Sequence, residues 1–303
     1  MSDHLWGIDL GGTKIEGVIL PSLHDPQPIL RTRVDSGAAN GYQHILSQIV
    51  NLVKMMQEQS GITPDKIGFG TPGVLDPYLN TMKNCNSTAL NGMPLKNDLQ
   101  KKLDLDIVLA NDANCFALAE THWGSVKQKT PAAKMVFGII MGTGVGGGIV
   151  YNEQVWNGRH GIGGEWGHNY LDESGGACYC GKTGCVETVI SGPATERFYE
   201  KISGKKLPLK EIYSNYKNGT DVAAAETIER LSHYFGKAVS VIINMLDPDT
   251  IVVGGGVGNI DELYTNGIDS IKKYIFNNRF DTPVLKPALG DSAGVFGAAA
   301  LTV

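Results

Sequence analysis

Leu5-Trp6-Gly7-Ile8-Asp9-Leu10-Gly11-Gly12-Thr13-Lys14-Ile15-Glu16-Gly17-Val18-Ile19-Leu20 is an apolar run broken by two glycines and resumed at once as β-type sequence. That pattern describes a hairpin with a glycine turn. It recurs about 130 residues further on: Met135 to Met141 leads into Gly142-Thr143-Gly144-Val145-Gly146-Gly147-Gly148, and the chain leaves through Ile149-Val150-Tyr151. Two matching hairpins imply two related halves. A third cluster, Gly254-Gly255-Gly256, follows the short run Ile251-Val252-Val253.

Between the glycine clusters lie helical patterns. Tyr42 to Gln59 places Ile45, Leu46, Ile49, Val53 and Met56 on one face, and Ala113 to His122 follows a strand ending at Val108-Leu109-Ala110. Asp221 reads as the N-cap of a helix to Leu246, with Ala225, Ile228, Leu231, Phe235, Ala238, Val239 and Ile242 on its buried stripe. Ser292 to Leu301 reads as a closing helix. Strands alternating with helices define an α/β protein. A first domain is expected over residues 1–122, with the closing segment 291–303 packed back onto it, and a second over 123–290. Ligands are expected in the cleft between the two lobes.

The first glycine turn has neither Walker spacing nor the dinucleotide fingerprint, since β sequence follows where a helix would have to begin. What it offers is backbone N–H groups that an anion can approach closely, with the Thr13 hydroxyl and the Lys14 charge beside them. Asp9, at the end of the strand, is placed to hold Mg²⁺. Gly142, Thr143, Gly144, Gly146 and Gly147 repeat that chemistry; together the two turns read as clamps on the phosphates of one nucleotide, and singly each reads as a structural turn. Gly254, Gly255 and Gly256 offer bare backbone to a purine, or simply a strand-to-helix turn. Asn111-Asp112 closes a strand and opens a helix, so Asp112 reads either as a helix N-cap or as a general base, with Asn111 orienting the same substrate.

Three of the five cysteines fall within eight residues, at Cys178, Cys180 and Cys185, with His168 ten positions upstream of the first. Cys3His is a usual structural Zn²⁺ shell; the alternative is a disulfide with a stray thiol. Glu165 and Glu187 bracket the set, which suggests a metal knot that fixes two carboxylates around a polar ligand. Cys85 and Cys115 stand apart as small buried residues.

Composition narrows the function classes. The chain has 303 residues, 42% hydrophobic and 19% charged, with a net charge of −5, which argues against a nucleic-acid surface. No apolar run reaches the ~20 residues of a bilayer span, and the start at Met1-Ser2-Asp3-His4 leads straight into a strand, so a cytoplasmic protein without membrane association is expected.

Taken together, Asp9-Leu-Gly-Gly-Thr-Lys14, Asn111-Asp-Ala-Asn114, Gly142-Thr-Gly-Val-Gly-Gly-Gly148, Gly164-Glu-Trp-Gly-His168 and Cys178-x-Cys-Gly-x2-Gly-Cys185 resemble the ROK family of repressors, uncharacterised frames and sugar kinases. The resemblance spans nearly the whole chain. It implies a two-lobed actin-like or ribonuclease-H-like ATPase fold, with a ligand cleft between the lobes, that closes on ATP and a hexose. It implies Asp112 as catalytic base; Asn111, Glu165, His168 and Glu187 as sugar contacts; and His168, Cys178, Cys180 and Cys185 as zinc ligands. It also implies a homodimer. Lys83-Asn-Cys-Asn-Ser-Thr-Ala-Leu-Asn-Gly92 and the cysteine motif look most like the bacterial fructokinase and mannokinase subgroup, with Asn84, Asn86 and Asn91 lining the cleft. Fructose or mannose is therefore the expected substrate, phosphorylated at the 6-position with ATP, Mg²⁺ and a structural Zn²⁺. The alternatives are a glucokinase, or an N-acetylglucosamine or N-acetylmannosamine kinase, of the same family. A sugar-responsive transcriptional regulator is the reading from another class; it needs a winged helix-turn-helix ahead of the sugar domain, and the first glycine turn begins within about ten residues of the start.

Overall fold

The computed structural model describes residues 4–290 and 293–303. Its strands are β1 (Leu5–Leu10), β2 (Lys14–Leu20), β3 (Leu30–Asp35), β4 (Lys66–Thr71), β5 (Val74–Leu75), β6 (Met82–Lys83), β7 (Asp106–Asn111), β8 (Met135–Met141), β9 (Val145–Tyr151), β10 (Gln154–Val155), β11 (Thr250–Gly254) and β12 (Val284–Leu285). Its helices are α1 (Tyr42–Ser60), α2 (Leu95–Leu103), α3 (Asp112–His122), α4 (Ser125–Lys129), α5 (Val186–Ile190), α6 (Gly192–Ser203), α7 (Leu209–Lys217), α8 (Val222–Leu246), α9 (Asn266–Tyr274) and α10 (Ala293–Ala300). The chain divides into two compact units, residues 1–132 with 148–163 and 288–303, and residues 133–147 with 164–287.

In the first unit the sheet order is β3-β2-β1-β4-β7. Antiparallel pairing joins β1 to β2 and β2 to β3, whereas β1, β4 and β7 run parallel, so their C-terminal ends share one edge. Strand alternation sorts the two faces. Trp6, Ile8 and Leu10 enter the core formed with Ile45, Leu46, Ile49, Val53 and Met56 of α1, the expected stripe. Gly7 and Asp9 belong to the opposite face. A side chain at Gly7 would collide with the backbone of α10, as would one at Gly68 of β4, so these glycines let the helix lie directly on the sheet. Helix α10 is apolar all round and almost fully buried, as a helix enclosed on every side must be. Of the closing helix expected from Ser292, that first residue lies outside the described residues.

In the second unit β8, β11 and β12 are parallel. Strand β9 starts there at Val145 and continues past Gly147 into the 148–163 segment of the first unit, where β10 pairs with it. Helix α8 begins as expected: the Asp221 side chain accepts from the N–H groups of Ala223 and Ala224. Its stripe needs one correction. Ala224 is buried and Ala225 exposed, because the steps from Ala224 through Ile228, Leu231, Phe235, Ala238 and Ile242 alternate between three and four residues and hold one face, whereas Ala225 lies a full residue's rotation away. None of the described helices is long and apolar enough to cross a membrane.

Candidate active site and metal centre

The shared edge of the first unit's parallel strands is where the chemistry collects. Asp9 sits one residue from the end of β1, and β7 ends at Asn111, directly before α3. Asn111 is the N-cap: its Oδ1 accepts from the Asn114 N–H at 2.8 Å. That bond makes Asn111 the cap, and Asp112 is the first helical residue. The residue is exposed overall, while protein encloses its carboxyl closely. Burial raises its pKa, and the hydrogen bond from the Ala113 N–H acts in the other direction without cancelling the rise. Asp9 is raised to about 6, by burial first and then by the negative charges of Asp112 and Glu16, with Lys14 opposing. Two enclosed carboxyls at the mouth of a helix, the charge of Asp112 raising Asp9, form a site suited to a cation or to a proton in transit.

Asn114, one turn into α3, accepts from the Ile149 N–H at 3.0 Å, and α3 is further fixed at its other end by Glu120. Both Glu120 carboxyl oxygens are fully buried and accept backbone N–H groups, from Ser125 at 2.7 Å, Ala288 at 3.0 and 3.1 Å, and Leu289 at 2.9 Å. The sequence carried a signal for this residue: it is an acid directly after the apolar run Cys115 to Ala119.

At the first glycine turn the Gly11 N–H donates to the Lys14 carbonyl, and Thr13 is exposed at the tip. The Lys14 ammonium lies 3.1 Å from Glu16, which Arg31 also holds. Burial pushes Glu16 up, but the two cations outweigh it and leave the carboxyl below its ordinary value. Lys14 is thus tied to its own sheet, and the exposed donors of the turn are backbone and hydroxyl.

The second turn, Gly142-Thr143-Gly144, also exposes its threonine. The following glycines answer a packing demand as well: a side chain at Gly147 would strike the Trp166 ring, whose Nε1 donates to the Gly146 carbonyl at 3.0 Å. Glu187 reaches this turn, its Oε2 accepting from the Val145 N–H at 3.0 Å. Gly255 turns with φ 82° against the backbone of Met141, so the third cluster abuts the strand that feeds the second turn.

His168, Cys178, Cys180 and Cys185 converge, their ligand atoms all within 4.8 Å of one another. Cys178 Sγ is 3.6 Å from His168 Nδ1, and Cys180 Sγ is 3.6 Å from Cys185 Sγ. Metal bonds of about 2.3 Å to sulfur and about 2.0 Å to nitrogen place tetrahedral ligands roughly 3.5–3.8 Å apart, so these edges fit a four-coordinate ion. All five cysteines are free thiols, which removes the disulfide alternative, and Cys85 and Cys115 are buried as expected. Cys185 is also the N-cap of α5, whose first turn carries Glu187. Ligand and cap are therefore one residue, and the carboxylate follows two positions on.

Tyr179, between two of the cysteines, escaped the sequence reading. It is 75% exposed, yet its hydroxyl is 3.0 Å from His168 Nε2 and its ring meets the imidazole edge to face. Among the asparagines, Asn91 spends its side chain on both backbone groups of Cys85, a loop-fastening role, while Asn84 adopts a left-handed backbone and Asn86 is exposed.

A parallel edge carrying paired acids, two threonine-tipped hairpins and a Cys3His knot define an α/β protein of the actin-like, ribonuclease-H-like class. Residues 5–303 match the ROK family model, and the chain belongs to that family. It is 34% identical over 307 residues to an N-acetyl-D-glucosamine kinase from Pectobacterium atrosepticum, covering 98% of each chain. Among solved structures it resembles a ROK hexokinase from Thermus thermophilus, with TM-score 0.86 and 27% identity over 98% of this chain and 97% of that one. It also resembles a ROK family glucokinase from Streptomyces griseus in complex with glucose and AMPPNP, with TM-score 0.77 and 26% identity over 98% of each.

Proposed function

We propose that the protein is an ATP-dependent sugar kinase that phosphorylates a primary hydroxyl of a hexose, with N-acetyl-D-glucosamine the favoured substrate. The observation that carries the reading is the geometry at Asn111-Asp112: the asparagine takes the cap and leaves an enclosed, proton-hungry carboxyl at the end of a parallel strand. In the reaction the sugar 6-hydroxyl gives its proton to a carboxyl oxygen of Asp112. The alkoxide oxygen bonds to the γ-phosphorus as the bond from that phosphorus to the ADP oxygen breaks. Gly11, Gly12 and Thr13 on the first turn, and Gly142, Thr143, Gly144, Gly146 and Gly147 on the second, donate to phosphate oxygens, with Lys14 adding charge nearby. Gly254, Gly255 and Gly256 receive the adenosine. Mg²⁺, when bound, neutralises phosphate charge; Asp9 is the residue placed to hold it.

Asn111, through the amide nitrogen that its cap leaves over, together with Asn86, Glu165, His168 and Glu187, orients the sugar hydroxyls. A structural Zn²⁺ on His168, Cys178, Cys180 and Cys185 holds that constellation, because Glu187 lies two residues from a ligand. The sugar preference departs from the fructose or mannose expectation. A relative covered over 98% of both chains is named for N-acetyl-D-glucosamine, and that full-length likeness outweighs the local resemblance of one loop. A cytoplasmic homodimer completes the proposal. Incubation of the protein with N-acetyl-D-glucosamine and MgATP, followed by phosphorus and proton NMR, tests it: a 6-phosphate ester and ADP are expected, and unconsumed ATP under saturating sugar contradicts it.

A further inference from the structure

Tyr179 stands in the second unit among the groups assigned to the sugar and has no role in the reaction as described. Its hydroxyl is 3.0 Å from His168 Nε2, on the ring whose Nδ1 points at Cys178 Sγ. An imidazole that turns Nδ1 to a metal carries its proton on Nε2, so that N–H donates to the tyrosine oxygen. The phenolic proton is then left for another acceptor. An ordinary phenol keeps its proton at neutral pH, so the donor is in place.

The hydrogen-bonding inventory of this cluster is lopsided. Glu165 and Glu187 only accept when ionised, which suits sugar hydroxyls that donate. The Nε2–H of His168 already meets the Tyr179 oxygen, so what His168 contributes to the sugar passes through that hydroxyl. An acceptor-only group on the substrate therefore finds one exposed side-chain donor in this set, the Tyr179 hydroxyl. An amide carbonyl is such a group; a sugar hydroxyl is not, because it can turn its own proton toward a carboxylate.

We propose that Tyr179 is a specificity-determining residue whose hydroxyl, held by His168 Nε2, donates to the carbonyl oxygen of an N-acylamino group on the hexose. This rests on the kinase reading above and assigns one more residue to its substrate. A phenylalanine at this position keeps the ring against the imidazole and removes only the donor. A site built to donate discriminates against ligands lacking the acceptor, and loss of one such bond is worth up to about tenfold in affinity.

The test compares the zinc-loaded wild-type protein with Tyr179→Phe, measuring kcat and KM for N-acetyl-D-glucosamine, glucose and MgATP, together with bound zinc and Tm. The expected result is a rise of about tenfold in KM for N-acetyl-D-glucosamine, with glucose changing less than about twofold and MgATP, zinc content and Tm unchanged. Equal effects on both sugars, no effect on either, or loss of zinc in the variant overturns the proposal. Wild-type protein that turns over neither sugar refutes the kinase reading itself, a failure distinct from an unaltered Tyr179→Phe enzyme.

Discussion

Asp9 and Asp112 set the pH behaviour of this protein. In the proposed mechanism Asp112 must be ionised to act, and burial raises its pKa, so activity is expected to be gained as pH rises and lost as it falls. Asp9 loses its charge near pH 6, and with the two acids interacting, kcat/KM should decline below about that pH as a joint titration. A profile flat down to pH 4.5 would contradict this. Asp112→Asn should lower kcat by about 10²–10⁴-fold with the fold intact, checked by ADP release and thermal melting. For Asp9 the sign is opposite in stability. Its folded-state pKa of about 6 lies above the ordinary 3.8, so the folded protein binds more protons across that window and loses stability as pH rises through it. Asp9→Asn should therefore stabilise the unliganded protein by about 2 kcal/mol at pH 8 and by almost nothing at pH 4, while abolishing turnover. Urea unfolding at the two pH values decides it, and a variant no more stable at pH 8 than wild type refutes it. The sequence presented Asp112 as cap or base and could not place the cap, because that depends on which side-chain oxygen reaches the Asn114 N–H, and it is that of Asn111.

Two elements hold this chemistry in place. Helix α3 carries Asp112 at one end and Glu120 toward the other, where four short N–H···O approaches fasten the helix to the starts of α4 and of the segment leading to α10. Glu120→Gln keeps the shape but turns an amide NH2 toward these donors; a loss of about 2–4 kcal/mol is expected in urea unfolding, and a loss below about 1 kcal/mol would mean the N–H groups find other partners. In the proposed reading the Cys3His cluster, holding zinc, plays the corresponding part for Glu187. Cys180→Ser should release metal and raise KM for the sugar, although Cys180 touches no reacting atom. A variant without metal that kept wild-type sugar affinity would separate the knot from the site. These elements were unequally legible. The hairpins and the α1 stripe follow from local alternation and helical period, and the structure reproduces them. The Ala224 side of α8 was misjudged by one residue because its first turn, Val222-Ala223-Ala224-Ala225, is apolar throughout and gives the period nothing to lock onto. Tyr179 was invisible because an exposed aromatic between two cysteines has no periodicity, only a partner eleven residues away.

At the scale of the whole molecule, duplication is the most informative property. Two glycine hairpins with exposed threonines, each preceded by a strand that belongs to a parallel set, give the fold class without any tertiary information, and the ROK match over residues 5–303 agrees with it. The sugar is the part that sequence patterns did not determine. Hexoses differ by one or two polar groups, and the residues proposed to discriminate them, Asn86 and Tyr179, are loop side chains whose directions follow from packing rather than from propensity. The loop at Lys83–Gly92 pointed to fructose or mannose, yet Asn91 within it is committed to the Cys85 backbone and is not available to a sugar. The most direct measurement is kcat/KM for MgATP-dependent ADP release across N-acetyl-D-glucosamine, N-acetyl-D-mannosamine, glucose, mannose and fructose, under one set of conditions. Highest efficiency with N-acetyl-D-glucosamine, by about tenfold or more over fructose and mannose, is the predicted result; fructose or mannose at the top, or no release with any of the five, would contradict it.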